Sequence, residues 1–384
     1  MRHHDGQIDL VGPDHLRIGT GAVAETGAYA DGDRALVVTD PGVRDAGLVG
    51  PVTDALDDAG VAHGTFDGVD ADPSVANAVA CAERAAGADC VVGVGGGSAM
   101  DVAKAAAVLV TNERPVERLL GRENVAAPGL PTVLLPTTAG TGSEVSPAAV
   151  LVDESGATSE KAGIVDPHLF AHAALVDPDL SMHLPTDATR TTGLDAFAHA
   201  AGSYVSRDAN ALADALCAEA MELVETHLRD AAFHGADAPA AREGMATAAT
   251  MAMLGRVNGG KSAVHAVAYG VQTMYDVAHA EAVAMVLPEV LAYDLPAVVD
   301  RLARLGTRIY GAEGAPRDRA ERVVEGVRAL RADLDLDRSL REVGATAGDL
   351  PELADLATRS ERHLDPNPRP LDADDAESIL RGIW

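Results

Sequence analysis

ADCVVGVGGGSAMDVAKAAAVLV, residues 88–110, carries the pattern from which the rest of the fold is read. The apolar run from Cys90 to Val94 has the length and β-branched content of a buried strand, and it ends in Gly95, Gly96 and Gly97. Ser98 then opens a helical run with Asp101 three residues on, close to the spacing of a capping box. Glycines let backbone N–H groups come near an anion, and a helix N-terminus adds its positive end. The loop is neither GxGxxG nor a Walker sequence. Two readings therefore stay open, a diphosphate site and a tight structural turn.

Upstream, RALVVTDPGVRD (34–45) is a β-branched run that stops at Asp40-Pro41. A dinucleotide fold places the carboxylate that bonds an adenosine ribose at the end of such a strand, and an Asp-Pro turn is the other reading. Residues 8–30 read as a short strand and turn, and 45–60 have helical spacing. VAHGTFDGV (61–69) is a second strand leading to Asp72-Pro73, with a helix over 74–87. Downstream, LPTVLLPTTAGTGSEVSPAAVLVD (130–153) sets Thr137, Thr138, Thr141 and Ser143 around glycines after an apolar strand. Residues 159–185 hold Lys161 and a strand ending at Asp177-Pro178. Alternation of strands and helices predicts an α/β domain with a mostly parallel sheet over 1–184. After Pro185 the strand pattern stops. Helical spacing over 188–230, 240–257, 261–276, 280–292, 296–311, 315–333, 347–361 and 373–382 predicts an all-helical domain over 185–384.

The helical half holds the candidate metal ligands. In LPTDATRTTGLDAFAHA (184–200), with Thr186 as the expected N-cap, Asp195 and His199 stand four apart and so share one helix face. His265 and His279 lie among small apolar residues, where an unpaired imidazole is costly to bury. Three neutral imidazoles and a carboxylate suit Fe²⁺ or Zn²⁺ better than Ca²⁺ or Mg²⁺. Taken alone, the Asp195/His199 pair also reads as a helix-face hydrogen bond.

Composition bounds the rest. A chain of 384 residues with 47% hydrophobic residues can build about two cores, and with four Phe, six Tyr and one Trp it must pack them with Ala, Val and Leu. No apolar run reaches about 18 residues and the N-terminus lacks an h-region, so a cytoplasmic protein with no membrane segment is expected. Cys81, Cys90 and Cys217 make neither a disulfide framework nor a cysteine metal site. The net charge of −29, from 59 acids against 30 bases, argues against nucleic acid or anionic membrane as partner. Spread along the chain, the acids fit a halophilic protein solvated for high salt. Only Lys104, Lys161 and Lys261 remain as lysines, so the other 27 bases are arginines. Lysine kept so sparingly points to positions where arginine will not do.

These stretches together resemble a known family. GGGSAMDVAK (95–104), LPTTAGTGSEV (135–145), GLDAFAHA (193–200), DALCAEAMELV (214–224), NGGKSAVHAVAYG (258–270) and AHAEAVAMVLP (278–288) are collinear with, and similar to, the iron-containing (group III) alcohol dehydrogenases. The resemblance implies a dehydroquinate synthase-like fold, with an NAD-binding α/β domain, a helical domain and one divalent metal, Fe²⁺ or Zn²⁺, in the cleft between them. It puts the metal on Asp195, His199, His265 and His279. It puts the cofactor on Asp40, Asp72, Gly96, Gly97, Ser98, Asp101, Thr137, Thr138, Ser143 and Lys161, with Asp40 favouring NAD over NADP, because a 2′-phosphate beside it would be repelled. It also implies a small-molecule substrate and a homo-oligomer.

Three positions depart from the family pattern. Tyr269 stands where a proton-relay histidine is usual, Gly202 where Glu is usual, and Lys261 where an apolar residue is common. Tyr269 and Lys261, each four residues from His265, are therefore the candidate catalytic residues, on one face with it if the helix already runs at Lys261. The expected activity is interconversion of a small polar alcohol, a hydroxy acid among the candidates, with its aldehyde or ketone. Other readings are a hydroxyacid-oxoacid transhydrogenase-like or maleylacetate reductase-like activity, a dehydroquinate synthase-like lyase, and a non-catalytic nucleotide- and metal-binding protein.

The acid excess has a measurable consequence. At about 0.05 M salt the screening length exceeds about 10 Å and the carboxylates repel one another. The thermal midpoint should fall steeply between molar and 0.05 M NaCl, and an unchanged midpoint would count against salt adaptation.

Overall fold

The computed structural model describes residues 8–112, 115–154, 160–275 and 277–384. They form two compact units, Val11–Leu184 and Pro185–Trp384, the second including the described residues before Val11.

The first unit is built on a parallel sheet. Its strands are β1 (His15–Ile18), β2 (Arg34–Val38), β3 (Ala62–Phe66), β4 (Cys90–Gly95), β6 (Thr132–Pro136) and β9 (Ala173–Val176), in the order β1-β9-β6-β4-β2-β3. Parallel neighbours need crossovers, and the helices Gly50–Asp58, Val75–Ala85 and Gly97–Thr111 supply them. Both faces of the sheet are thereby covered, which is why the central strands are apolar without interruption. The two-residue period still sorts them. Leu36, Val38, Val91 and Leu134 pack with Met100, Ala103 and Ala106 of the glycine-loop helix, while Val37, Val92, Val133 and Leu135 pack with Val52 and Leu56 on the other face. A second sheet of β5 (Gly121–Arg122), β8 (Glu160–Val165) and β7 (Ala148–Asp153) pairs β7 and β8 antiparallel.

The glycine-loop helix is tied to this second sheet by Lys104. Its buried ammonium donates to Ser143 O (3.0 Å), to Ser143 Oγ (2.6 Å) and to Ala148 O, and lies 3.0 Å from Asp101 Oδ1. Asp101 in turn accepts from Ser143 Oγ at 2.5 Å and from the Val150 N–H at 2.9 Å. The expected capping box is therefore absent. The N-cap is Gly96, without a side-chain bond, and the Asp101 carboxylate turns to the lysine instead of the helix start.

The second unit has no strand among its described residues. Its first helices are Thr186–Val205, Ala211–His234, Pro239–Gly259, Val264–Tyr275 and His279–Asp294. Three local expectations are corrected here. The span 188–230 is two helices, because the chain turns extended at Ser206 and Asn210 restarts it by accepting from the Leu212 and Ala213 N–H groups. Thr186 is the first helical residue rather than the cap, which is Pro185. Lys261 is not helical: Gly260, at φ +96°, ends one helix and the next starts at Val264. Among the described residues no helix is long and apolar enough to cross a membrane.

Replacing Lys104 by Met should cost about 3–5 kcal/mol, because it strands the buried Asp101 carboxylate. Urea unfolding reads this, and a loss under about 1 kcal/mol would show that Lys104 does not hold the helix.

Candidate metal centre

The helix Thr186–Val205 is buried along its last two-thirds, and it carries Asp195 and His199 inward one turn apart. His265 enters on the first turn of Val264–Tyr275, and the link before it is clamped. The Ala263 N–H donates to Asn367 Oδ1 at 2.8 Å, and the fully buried Asn367 donates to Asp294 Oδ1 at 2.8 Å. Burial raises the Asp294 carboxyl to about 7 against the opposing effect of that hydrogen bond. His279 opens the helix His279–Asp294, with Nδ1 3.2 Å from Gln272 Oε1. An Nδ1–H donated to Gln272 makes Nε2 the nitrogen available to a metal.

The ligand atoms converge. One atom each from Asp195, His265 and His279 lie within 4.8 Å of one another. Asp195 Oδ1 stands 3.5 Å from His265 Nε2 and 3.8 Å from His199 Nε2, so His199 joins the same carboxylate. The His199 and His265 rings stack at 4.8 Å and 3°, and His279 lies 5.6 Å from His265. Asp195 Oδ1, His265 Nε2 and His199 Nδ1 are buried with no hydrogen-bond partner. Leaving such atoms unpaired is costly. The spacing is long for hydrogen bonds and right for a shared ion, since two ligands about 2.1 Å from a tetrahedral metal stand about 3.4 Å apart. The residues fit a divalent cation.

Electrostatics agrees. Burial holds the His199, His265 and His363 rings well below the ordinary imidazole range, and the nearby Arg256 charge lowers all three further. Only for His199 does Asp195 oppose this. Neutral imidazole is the form that binds metal.

Three neighbours carried no signal in the sequence reading. Gln272 is seven residues beyond His265, a helical spacing that could have revealed it. His363, from a segment nearly a hundred residues on, stacks over His265 at 6.0 Å and 13°. Arg256 closes the preceding helix. Tyr269 lies one turn beyond His265 on the same helix. A Cβ on Gly202 would stand 2.8 Å from Ser262 Oγ, so a side chain at that position requires Ser262 to shift.

The candidate cofactor residues gather in the first unit. Gly96 and Gly97 open the helix after β4, and a Cβ on Gly97 would sit 3.2 Å from Thr141, as one on Gly96 would sit 3.6 Å from Thr138. Thr138 Oγ1 is buried without a partner beside these uncapped N–H groups. That is a cradle with an unspent donor, which suits a diphosphate. Asp40 caps the turn Pro41–Asp45 through Oδ1, which accepts from Val43 N–H at 3.0 Å, while Oδ2 faces Gly95. Thr137 is buried and bonded to Gly95 O through its N–H. Ser98 Oγ donates to Ala71 O at 2.5 Å, beside exposed Asp72. Asp101 and Ser143 spend their bonds on the Lys104 network behind the loop. Lys161 is on β8, and its side chain lies outside the described residues.

Comparison with known proteins accounts for both halves. Residues 13–178 match the family described as iron-containing alcohol dehydrogenase, and 189–384 match the C-terminal part of the Fe-containing alcohol dehydrogenase family. Sulfoacetaldehyde reductase of Bilophila wadsworthia is 33% identical over 94% of this chain and 95% of its own. The solved alcohol dehydrogenase from Oenococcus oeni is 30% identical, with a TM-score of 0.93 over 98% of this chain and all of its own. Sulfoacetaldehyde reductase from Bifidobacterium kashiwanohense, solved in complex with NAD⁺, is 27% identical, with a TM-score of 0.88 over 98% of each chain.

Two outcomes follow from the centre. His265→Ala and His279→Ala should each weaken metal binding at least 10-fold, measured by elemental analysis after dialysis against a chelator; full retention by both would refute the site. The metal-free chain should also lose stability as pH falls. Its buried rings have folded pKa values below the ordinary value of about 6.5, so the unfolded chain takes up protons first. Stability is present above about pH 6.5 and declines below it, by up to about 1.4 kcal/mol per pH unit for each ring. Denaturant midpoints at pH 7 and pH 5 measure this.

Proposed function

The chain belongs to the iron-containing alcohol dehydrogenase family, and on that premise we propose that it is a metal-dependent NAD(H) oxidoreductase that interconverts a small polar alcohol and its aldehyde or ketone. The observation that carries this reading is the pair of unpaired buried atoms Asp195 Oδ1 and His265 Nε2, converging with His279 and with His199 Nε2 3.8 Å from the same carboxylate oxygen. The relatives support it: one is named for sulfoacetaldehyde and another was solved with NAD⁺.

Asp195, His199, His265 and His279 would hold the cation, Fe²⁺ or Zn²⁺. Bound there, the cation supplies Lewis acidity toward a carbonyl or alcohol oxygen, and the nicotinamide supplies or takes the hydride. The chain's own residues do the rest. Gln272 holds the His279 ring in one tautomer, and the Asn367 clamp holds the link that leads into His265. The Tyr269 phenol, one turn from His265, gives or takes the proton of the substrate oxygen in place of the family's histidine. Gly96, Gly97 and Thr138 receive the diphosphate, with Thr137, Ser98 and Asp72 around them. Asp101 and Ser143 hold the loop through Lys104, and Lys161 bonds the cofactor ribose. Asp40 Oδ2 meets the adenosine ribose and selects NAD(H). The acid spread fits an enzyme that works in concentrated salt.

Wild type should oxidise NADH in the presence of short polar aldehydes, at least 10-fold more efficiently than NADPH. Asp40→Gly should shrink that preference, because it removes the charge that repels a 2′-phosphate. Equal efficiency of the wild type with both cofactors would contradict the role given to Asp40.

A further inference from the structure

The cations around His265 have no evident use in holding a metal. Arg256, in the last turn of Pro239–Gly259, is half-buried and has no side-chain hydrogen bond or ion pair with any described residue. A guanidinium presents five donors in a planar fork, so taking one partly out of water with none of them used is costly. Its location is set by one packed knot. Gly260 lies against Ser206, whose Oγ donates to Pro366 O at 3.3 Å. The Arg207 N–H donates to the same carbonyl at 2.8 Å, and Asn367 holds Ala263. This knot holds together the end of the Arg256 helix, the link that carries Lys261 and the segment that carries Arg362 and His363, whose imidazole stacks over the His265 ring. Besides burial and the His279 ring, the charges that act on His265 are Arg256, the largest, then Lys261 and Arg362, all positive. Burial lowers the Arg256 guanidinium to about 10, and Asp195 opposes that without forming an ion pair within reach.

A divalent cation cannot be what this guanidinium answers, because like charges repel. From the unpartnered guanidinium beside the centre, we propose that Arg256 seats an oxyanion, the carboxylate or sulfonate at the far end of a short hydroxy or oxo substrate. The inference rests on the oxidoreductase reading for the reacting end and adds the class of the other end. Lys261, in the link before the His265 helix rather than on it, adds further positive charge at the His265 ring, and His363 stacks over that ring. A fork of N–H groups matches two oxygens of such an anion, which a point charge does not.

The test uses the metal-loaded full chain as wild type, Arg256→Gln and Arg256→Lys. NADH oxidation is followed with sulfoacetaldehyde, succinic semialdehyde and neutral butanal. Arg256→Gln should lower the charged-to-neutral ratio of kcat/KM roughly 10- to 100-fold, the effect of losing a charge-assisted hydrogen bond, chiefly through KM for the charged aldehydes. Arg256→Lys should recover part of it, and whichever charged aldehyde loses more identifies the oxyanion. An unchanged ratio in both variants overturns the proposal; if Arg256→Gln does not fold, an unchanged ratio in Arg256→Lys does so alone. Thermal midpoints with isethionate, 4-hydroxybutyrate or butanol give a second reading. Should wild type reduce no aldehyde, the oxidoreductase reading fails and the midpoints decide: a rise with either anion that is lost on removing the guanidinium sustains the oxyanion seat, and no rise overturns it.

Discussion

One carboxylate oxygen, Asp195 Oδ1, lies between the Nε2 atoms of His199 and His265 in a helical unit packed with alanine and valine, and no proton donor satisfies it. Burying an anion and its neighbouring imidazoles is tolerable only if something compensates them, and a cation does so most completely. Much of the second unit is organised to keep those atoms together. The Thr186–Val205 helix is buried on every side around them, the Asn367–Asp294 pair fixes the link before His265, and Gln272 orients His279. Such supporting bonds set the tautomer and reach of the ligands.

The first unit meets a comparable problem at the glycine loop. Backbone N–H groups can face an anion only if no side chain stands in the way, and at Gly96 and Gly97 a Cβ would fill the space beside Thr138 and crowd Thr141. A loop with so little side chain needs anchoring from behind. Lys104 does this by spending its ammonium on Ser143, Ala148 and Asp101, so one of the three lysines is explained by structure rather than chemistry. Arginine would not fit the site in the same way, since its wider planar fork cannot gather carbonyls around a point.

Arg256 gives the centre its third feature. A metal site needs neutral rings, and burial supplies them; the additional positive charge is surplus to that need. Surplus charge of one sign near a reacting atom selects substrates by their far end, through complementarity rather than through the chemical step.

What the sequence determined by itself is what short-range geometry dictates. The i, i+4 spacing of Asp195 and His199 fixes a shared helix face, and a strand running into three glycines and a helix specifies an α/β crossover with an exposed N-terminus. Asp195 and His199 were named as candidate ligands for the same reason, and the family resemblance joined them to His265 and His279, which spacing alone could not do. Local pattern failed at element ends, where competition between side chain and backbone decides: Asp101 is no capping-box partner, because a lysine on the next turn takes its carboxylate, and Lys261 is not helical, because Gly260 turns the chain first. The tertiary structure alone decided the stacking of His363 on His265, the Asn367 clamp and the effect of the Arg256 charge on the His265 ring. These contacts join segments up to about a hundred residues apart. Their energy comes from packing among whole helices, and no local window of sequence contains it.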